Sequence, residues 1–142
     1  MGTVRNILQI KGNAVHTVTP GTSVYEALED LENNNMGSLV VVENGKLIGI
    51  FTERDYARKV ILKGRSSKDT QVRDIMTERP IFVTPDATIE ECMQLMSSKN
   101  FRHLPVLEND QLVGVISISD LVKFIIREKD FIIENLEHYI VS

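Results

Sequence analysis

Two short patterns in this 142-residue chain set a hydroxyl three residues ahead of an aspartate: Thr52-x-x-Asp55 and Ser117-x-x-Asp120. Each stands where a β-rich apolar run gives way to a helical one, so the hydroxyl falls at a helix start. A helix N-terminus with a hydroxyl is a natural phosphate site, and a carboxylate beside it can grip a ribose diol. The competing reading is a capping box, because Ser or Thr at the N-cap with an acid in the first turn is a frequent helix start. The partner in such a box is usually Glu or Gln. The shorter Asp reaches back less easily, so Asp55 and Asp120 are expected to point outward. A third feature is the basic pair Arg102-His103 ahead of the apolar run Leu104-Pro105-Val106. A lone His beside a strand is more often structural, but the pair is suited to an anion.

The charge distribution supports an anion as well. The chain carries −4 overall, yet residues 54–73 carry +5, from Arg54, Arg58, Lys59, Lys63, Arg65, Lys68 and Arg73 against Asp55 and Asp69. Such an island is commonly a solvated face and otherwise an anion-binding surface. A nucleic-acid groove is disfavoured, because Tyr56 is the one aromatic in the window and interleaved aromatics are missing. No catalytic constellation emerges: the chain has no Walker loop, GxGxxG turn, nucleophile elbow, HExxH helix or CxxC pair. His16 and His138 lack metal-ligand spacing. Cys92, Met76, Met93 and Met96 read as core fillers or adaptable contacts. A non-enzymatic binding protein is expected.

The elements that position these residues come in two copies. A shift of 65 residues lays Val18–Arg58 over Val83–Lys123 without a gap, with 12 of the 41 positions identical. The lead-ins match too, Val4-Arg5-Asn6-Ile7-Leu8 with Val72-Arg73-Asp74-Ile75-Met76. The division falls between repeat one, 1–66, and repeat two, 67–142, whose last helix is extended. In each copy a short strand (Val15–Val18; Ile81–Val83) precedes a helix (Ser23–Asn34; Thr88–Lys99) opened by a Ser23…Glu26 or Thr88…Glu91 capping box. A hairpin follows, Ser38–Glu43 with Lys46–Thr52 and His103–Glu108 with Gln111–Ser117, turning at Asn44-Gly45 and Asn109-Asp110. Helices Glu53–Leu62 and Ile118–Tyr139 close the copies. The β-α-β-β-α order and nearly continuous apolar strands imply an α/β fold, a sheet covered by helices. Neither copy covers both sheet faces alone, so the two are expected to pack as one pseudo-two-fold module.

This repeat resembles the cystathionine-β-synthase (CBS) domain, and the tandem pair is similar to a Bateman module. The resemblance spans nearly the whole chain and is carried by Gly49-Ile50-Phe51-Thr52-Glu53-Arg54-Asp55, Gly114-Val115-Ile116-Ser117-Ile118-Ser119-Asp120 and Arg102-His103-Leu104-Pro105-Val106. The segment 64–70 also looks like that of small stand-alone CBS-pair proteins. The resemblance implies an adenine-nucleotide site between the copies, with Asp55 and Asp120 on ribose and Thr52, Ser117 and Ser119 toward phosphate. It implies that Arg102 and His103 neutralise phosphate and that the adenine lies near Thr17-Val18 and Ile81-Phe82-Val83. Phe82 could equally be plain core. Copy one departs from the pattern, with Gly37-Ser38 in place of the basic pair. Arg54 is the substitute cation, and the two sites are expected to be unequal.

The remaining expectations concern ligand, partner and compartment. AMP leads the ligands, followed by ATP, ADP, NAD and S-adenosylmethionine, and the module is read as a sensor of energy or redox state. The alternative is a ligand-independent dimerisation or interaction module with a vestigial site. The apolar residues of the last helix (Leu121, Val122, Ile125, Ile132, Ile133, Leu136) suggest a homodimer, and a regulated protein partner is expected. One cysteine fits a reducing compartment, and no apolar run approaches the ~18 residues of a membrane span. The N-terminus has no signal-peptide pattern and misses the myristoylation pattern at Asn6. A cytoplasmic protein is the expectation.

Overall fold

A computed structural model describes the backbone of residues 2–12 and 14–141, with side chains described as far as Glu137. His138 and Tyr139 therefore have side chains outside the described residues. The fold is mixed α/β, and its contacts divide it into two compact units.

The first unit comprises Ala14–Ile81 with Asn109–Leu112. Its sheet is ordered β1 (Thr17–Val18), β2 (Ser38–Glu43), β3 (Lys46–Thr52), β4 (Thr77–Glu78). β1 runs parallel to β2, and β2–β3–β4 are antiparallel. The β2–β3 hairpin turns at Asn44 and Gly45, both at positive φ (53° and 77°), as a primed two-residue turn demands. Helix α2 (Val24–Asn33) starts where Ser23 accepts the Glu26 N–H, and it buries Val24, Ala27 and Leu31 against Leu39, Val41 and Phe51. Helix α3 (Glu53–Lys59) stops three residues short of the expected Leu62. The buried Val60 ends it, and the chain tightens into a 3-10 turn over Ile61–Lys63 that closes at Gly64 (φ 69°).

The second unit comprises Met1–Asn13, Phe82–Glu108 and Val113–Ser142. It holds helix α1 (Val4–Lys11), α4 (Ile89–Lys99), β5 (His103–Glu108), its hairpin partner β6 (Gln111–Ser117) from Val113 onward, and α5 (Ile118–Val141). The expected strand over Ile81–Val83 is absent. Only Val83 bridges Val106, through Val83 N–H to the Pro105 carbonyl and Leu107 N–H to the Val83 carbonyl. Ile81 and Phe82 stand exposed just after Pro80, which supplies no N–H for a ladder. The first half of α5 buries Leu121 and Phe124 in the core, whereas Ile126 and residues 131–137 are exposed.

Helix α1 was not among the expected elements, and it changes how the repeats relate to the packed units. Its Val4, Ile7 and Leu8, at helical spacing, lie in one core with Ile89, Leu104, Ile116 and Leu121 of repeat two. The corresponding lead-in of repeat two, Val72 and Ile75, lies in the core of repeat one. The packed units thus interleave along the chain, whereas the division at 66/67 follows sequence similarity. Two equivalent glycines admit these lead-ins. A Cβ on Gly114 would stand 2.7 Å from Leu8, and one on Gly49 would collide with Met76 Sδ.

Candidate functional site

In the first unit, Thr52 ends β3 and caps α3. Its N–H donates to Asp55 Oδ2 at 2.9 Å, and its hydroxyl lies 3.3 Å from the same oxygen. Asp55 therefore does not point outward as expected. The Thr52 N–H is one of the unpaired donors of a helix start, and the partial positive charge there favours a carboxylate. The other oxygen, Oδ1, meets Lys59 Nζ at 3.3 Å, and Lys59 also donates to the Ile75 carbonyl at 3.0 Å. Asp55 is left buried and Arg54 exposed. Ser38, at the position of the second repeat's histidine, is buried. Thr17 is exposed at the sheet edge, while Val18 belongs to the core.

The second unit carries the fuller constellation. Ser117 and Asp120 form a complete reciprocal box, Asp120 N–H to Ser117 Oγ at 3.1 Å and Ser117 N–H to Asp120 Oδ2 at 2.8 Å. The outward expectation fails here too. The Ile118 N–H donates to the Arg102 carbonyl at 2.9 Å, which brings Arg102 and His103 to the α5 N-terminus. Ser119, one residue into the helix, is exposed. Phe82 is exposed and Val83 is core, so of these two only Phe82 offers its side chain to a ligand.

Sequence reasoning missed Lys11. From the last residue of α1, its ammonium donates to Asp120 Oδ2 at 2.7 Å and to the Val115 carbonyl at 2.6 Å. Burial pushes the Asp120 carboxyl up, but the bonds from Lys11 and Ser117 more than offset this, and it lies below the usual carboxylate value. His103 moves the other way from expectation. Burial, then the charge of Lys11, lowers its imidazole from the ordinary value, against the opposing pull of Asp120. The shift disfavours the charged imidazole, so Arg102 is the stronger cation of the pair. The signal that could have found Lys11 is the apolar spacing of Val4, Ile7 and Leu8, which predicts a helix; nothing local points that helix at Asp120.

Asp120 also opens on a cleft of about 260 Å³ between α1 and α5. Ile7, Ile10 and Phe124 form its apolar wall, and Lys11, Lys123 and Arg127 bring three cations against the one carboxylate. The volume is below the roughly 300–1,000 Å³ of whole small-molecule pockets, which suits a subsite. Among the described residues no group of His, Cys, Asp and Glu is arranged to hold a metal. Cys92 is fully buried, its thiol pushed up to about 11 by burial and then by Glu91, so it is an unreactive core residue.

The CBS domain family matches this chain twice, over residues 6–62 and 72–127. The chain belongs to the CBS-domain family. Its relatives include the mitochondrial CBS domain-containing protein CBSX3 of Arabidopsis thaliana, 40% identical, covering 97% of this chain and 71% of that protein. A protein with CBS domains from Burkholderia ambifaria MC40-6 is 46% identical over 88% of this chain and 94% of its own, with a TM-score of 0.85. CBSX2, whose structure is a complex with AMP, is 28% identical over 91% of this chain and 99% of its own, with a TM-score of 0.72. Both CBS repeats thus carry the [Ser/Thr]-x-x-Asp element at a strand-to-helix junction, and in both the aspartate is held by a lysine. Of the basic island, Lys59 is committed to Asp55, Arg65 lies 3.9 Å from Asp74, and Lys68 stands 4.8 Å over the Tyr25 ring. Among the described residues no helix is long and apolar enough to cross a membrane.

Proposed function

We propose that this CBS pair is a regulatory adenine-nucleotide-binding protein, with AMP first among its ligands ahead of ATP, ADP, NAD and S-adenosylmethionine. The observation that carries the reading is Asp120, an ionised carboxylate oriented by Ser117 and Lys11 beside cations in excess. A carboxylate takes the two hydroxyls of a ribose, and the α5 N-terminus and Arg102 suit a phosphate. Asp55, Thr52 and Arg54 supply the counterpart in repeat one, with Thr17, Ile81 and Phe82 toward the base. The complex of the relative CBSX2 with AMP is consistent with this ligand class. A regulated partner protein reads the bound state, which requires that the ligand bind two conformations with different affinity. We assign the chain no catalytic role and a cytoplasmic setting, and the basic island a solvated face. The exposed Phe131, Ile132, Ile133 and Leu136 of α5 favour a homodimer, since an amphipathic helix wants a partner for its apolar face.

A thermal-shift panel with AMP, ADP, ATP, NAD, NADH and S-adenosylmethionine tests the reading. At 100 times its Kd a ligand stabilises the fold by roughly 2.7 kcal/mol, worth on the order of 5–10 °C in Tm for a chain this size. A shift with one adenosyl ligand that Asp120→Ala abolishes supports the nucleotide reading. No shift with any of them points to the second reading, a ligand-independent dimerisation or interaction module. What favours that second reading is that both aspartates already serve as caps and that Gly37-Ser38 replaces the basic pair.

A further inference from the structure

The carboxylate of Asp120 is already occupied, and by a group that a ligand must answer. Lys11 and the Ser117 N–H both donate to Oδ2, whereas Oδ1 accepts no hydrogen bond among the described residues. Oδ1 offers a ribose hydroxyl an acceptor with no competing donor, but a grip with one hydroxyl on each oxygen adds a third donor to Oδ2 and loosens Lys11 from it. The ammonium would then keep only the Val115 carbonyl. A partly buried charge stripped of its counter-ion is costly. A ligand that carries its own anion next to the ribose restores the pairing, and a neutral nucleoside does not. A ligand with a cation near the ribose makes matters worse.

The surroundings are consistent with an incoming anion. Lys123 and Arg127 line the same cleft and have no ion-pair partner among the described residues. They stand four residues apart on α5, a spacing at which like charges repel. Resting on the nucleotide reading above, we propose that Lys11 is a specificity residue of the second repeat, which makes the Asp120 half-site select 5′-phosphorylated adenosyl ligands over adenosine and over the sulfonium ligand S-adenosylmethionine. Its sequence position, in a lead-in helix outside the [Ser/Thr]-x-x-Asp element, explains why the motif alone does not reveal it.

The test is calorimetric binding of AMP, adenosine and S-adenosylmethionine to the full chain and to K11Q, K11R and D120N, with a thermal melt of each variant to check folding. The wild type is expected to prefer AMP over adenosine by at least about tenfold, the worth of one charge-assisted hydrogen bond. K11Q should bring that preference to within about threefold and admit S-adenosylmethionine, K11R should retain it, and D120N should weaken AMP and adenosine together. An unchanged AMP-to-adenosine ratio in folded K11Q, with D120N still weakening both, overturns the role of Lys11 and leaves the nucleotide reading standing. Wild type that binds none of the three overturns the nucleotide reading and Lys11 with it.

Discussion

Asp55 and Asp120 occupy equivalent places in the two repeats, return to equivalent N-caps, and each meets a lysine that also binds a carbonyl. The lysines come from different distances. Lys59 sits one turn further along the same helix as Asp55, 3.3 Å away, whereas Lys11 reaches Asp120 from 109 residues earlier in the chain, at 2.7 Å. An i,i+4 pair forms whenever α3 forms and contributes a few tenths of a kcal/mol. The Lys11 pair exists only while α1 is seated on the second repeat's core. The first arrangement is a fixed part of a helix start. The second ties the state of one carboxylate to the docking of a separate helix, so any ligand that took Asp120 would be energetically linked to the seat of α1.

The largest test of that contrast is to unseat the lead-ins. Leu8 is nearly buried under Gly114, and Leu8→Ala should cost about 2–5 kcal/mol. The matching residue, Met76 over Gly49, is only partly buried and flexible, so Met76→Ala should cost about 1–2 kcal/mol, below the usual range for a buried Met. Urea unfolding of the two variants measures the difference. Equal costs would mean that α1 is no more firmly seated than the short 3-10 turn Val72–Asp74 that stands in its place against the other repeat.

The same elements show what is legible in the chain. Both hairpins match the expected bounds residue for residue, because their apolar runs are bracketed by Asn-Gly and Asn-Asp turns. The starts of α2 and α4 follow from Ser23…Glu26 and Thr88…Glu91, signals contained within one turn. Helix α1 is hard to see because eight residues with four apolar positions, Ile10 of them exposed, are a short periodic signal, and its partners lie about 80 residues or more away. The strand expected at Ile81–Val83 fails for a different reason: β5 offers an edge and Val83 uses it, but Pro80 has no N–H to extend the pairing and Ile81 and Phe82 stay exposed. For the aspartates, side-chain length alone suggests an outward carboxylate, but the unpaired N–H of the helix start draws it back. Lys11 belongs to no motif at all, and only the fold brings it to Asp120.

A second, smaller effect follows from titration. The Asp120 carboxyl is held below its unfolded value near 3.9, so its contribution to stability is present above that pH and lost as pH falls through the lower folded value. His103 is a base whose folded value is also depressed. Below about pH 6.5 the unfolded chain takes up its proton first, so stability declines there as well. Repeat one has Ser38 in the histidine's place and contributes no such step. Thermal melts from pH 7.5 to 3 should therefore fall in two stages. His103→Gln should remove the upper one, and Lys11→Met should weaken both, since Lys11 is among the causes of each shift. Asp120→Ala at neutral pH should cost about 1–2 kcal/mol, for the lost cap and the unpaired ammonium. A profile unchanged by His103→Gln would show that the histidine is solvated in the folded protein.

The smallest contrast lies in the hairpin turns. Both place two consecutive residues at positive φ, Asn44-Gly45 at 53° and 77° and Asn109-Asp110 at 52° and 63°. Glycine accepts this region freely, whereas an L-residue with a Cβ is strained there, Asn and Asp less than others. Repeat two therefore carries a strain at Asp110 that repeat one avoids with Gly45. Asp110 is exposed and forms no hydrogen bond or ion pair among the described residues, so Asp110→Gly removes strain without removing a partner. Against the gain stands the greater freedom of glycine in the unfolded chain, which leaves a net stabilisation of about 0.5 kcal/mol. The reciprocal Gly45→Asp should cost a similar amount. The pair of variants separates the turn from the sites, since each turn opens the strand (β3 or β6) whose other end leads to the aspartate. AMP affinity should be unchanged in both, and a shift in it would mean that the hairpin tip and the strand-to-helix junction move together.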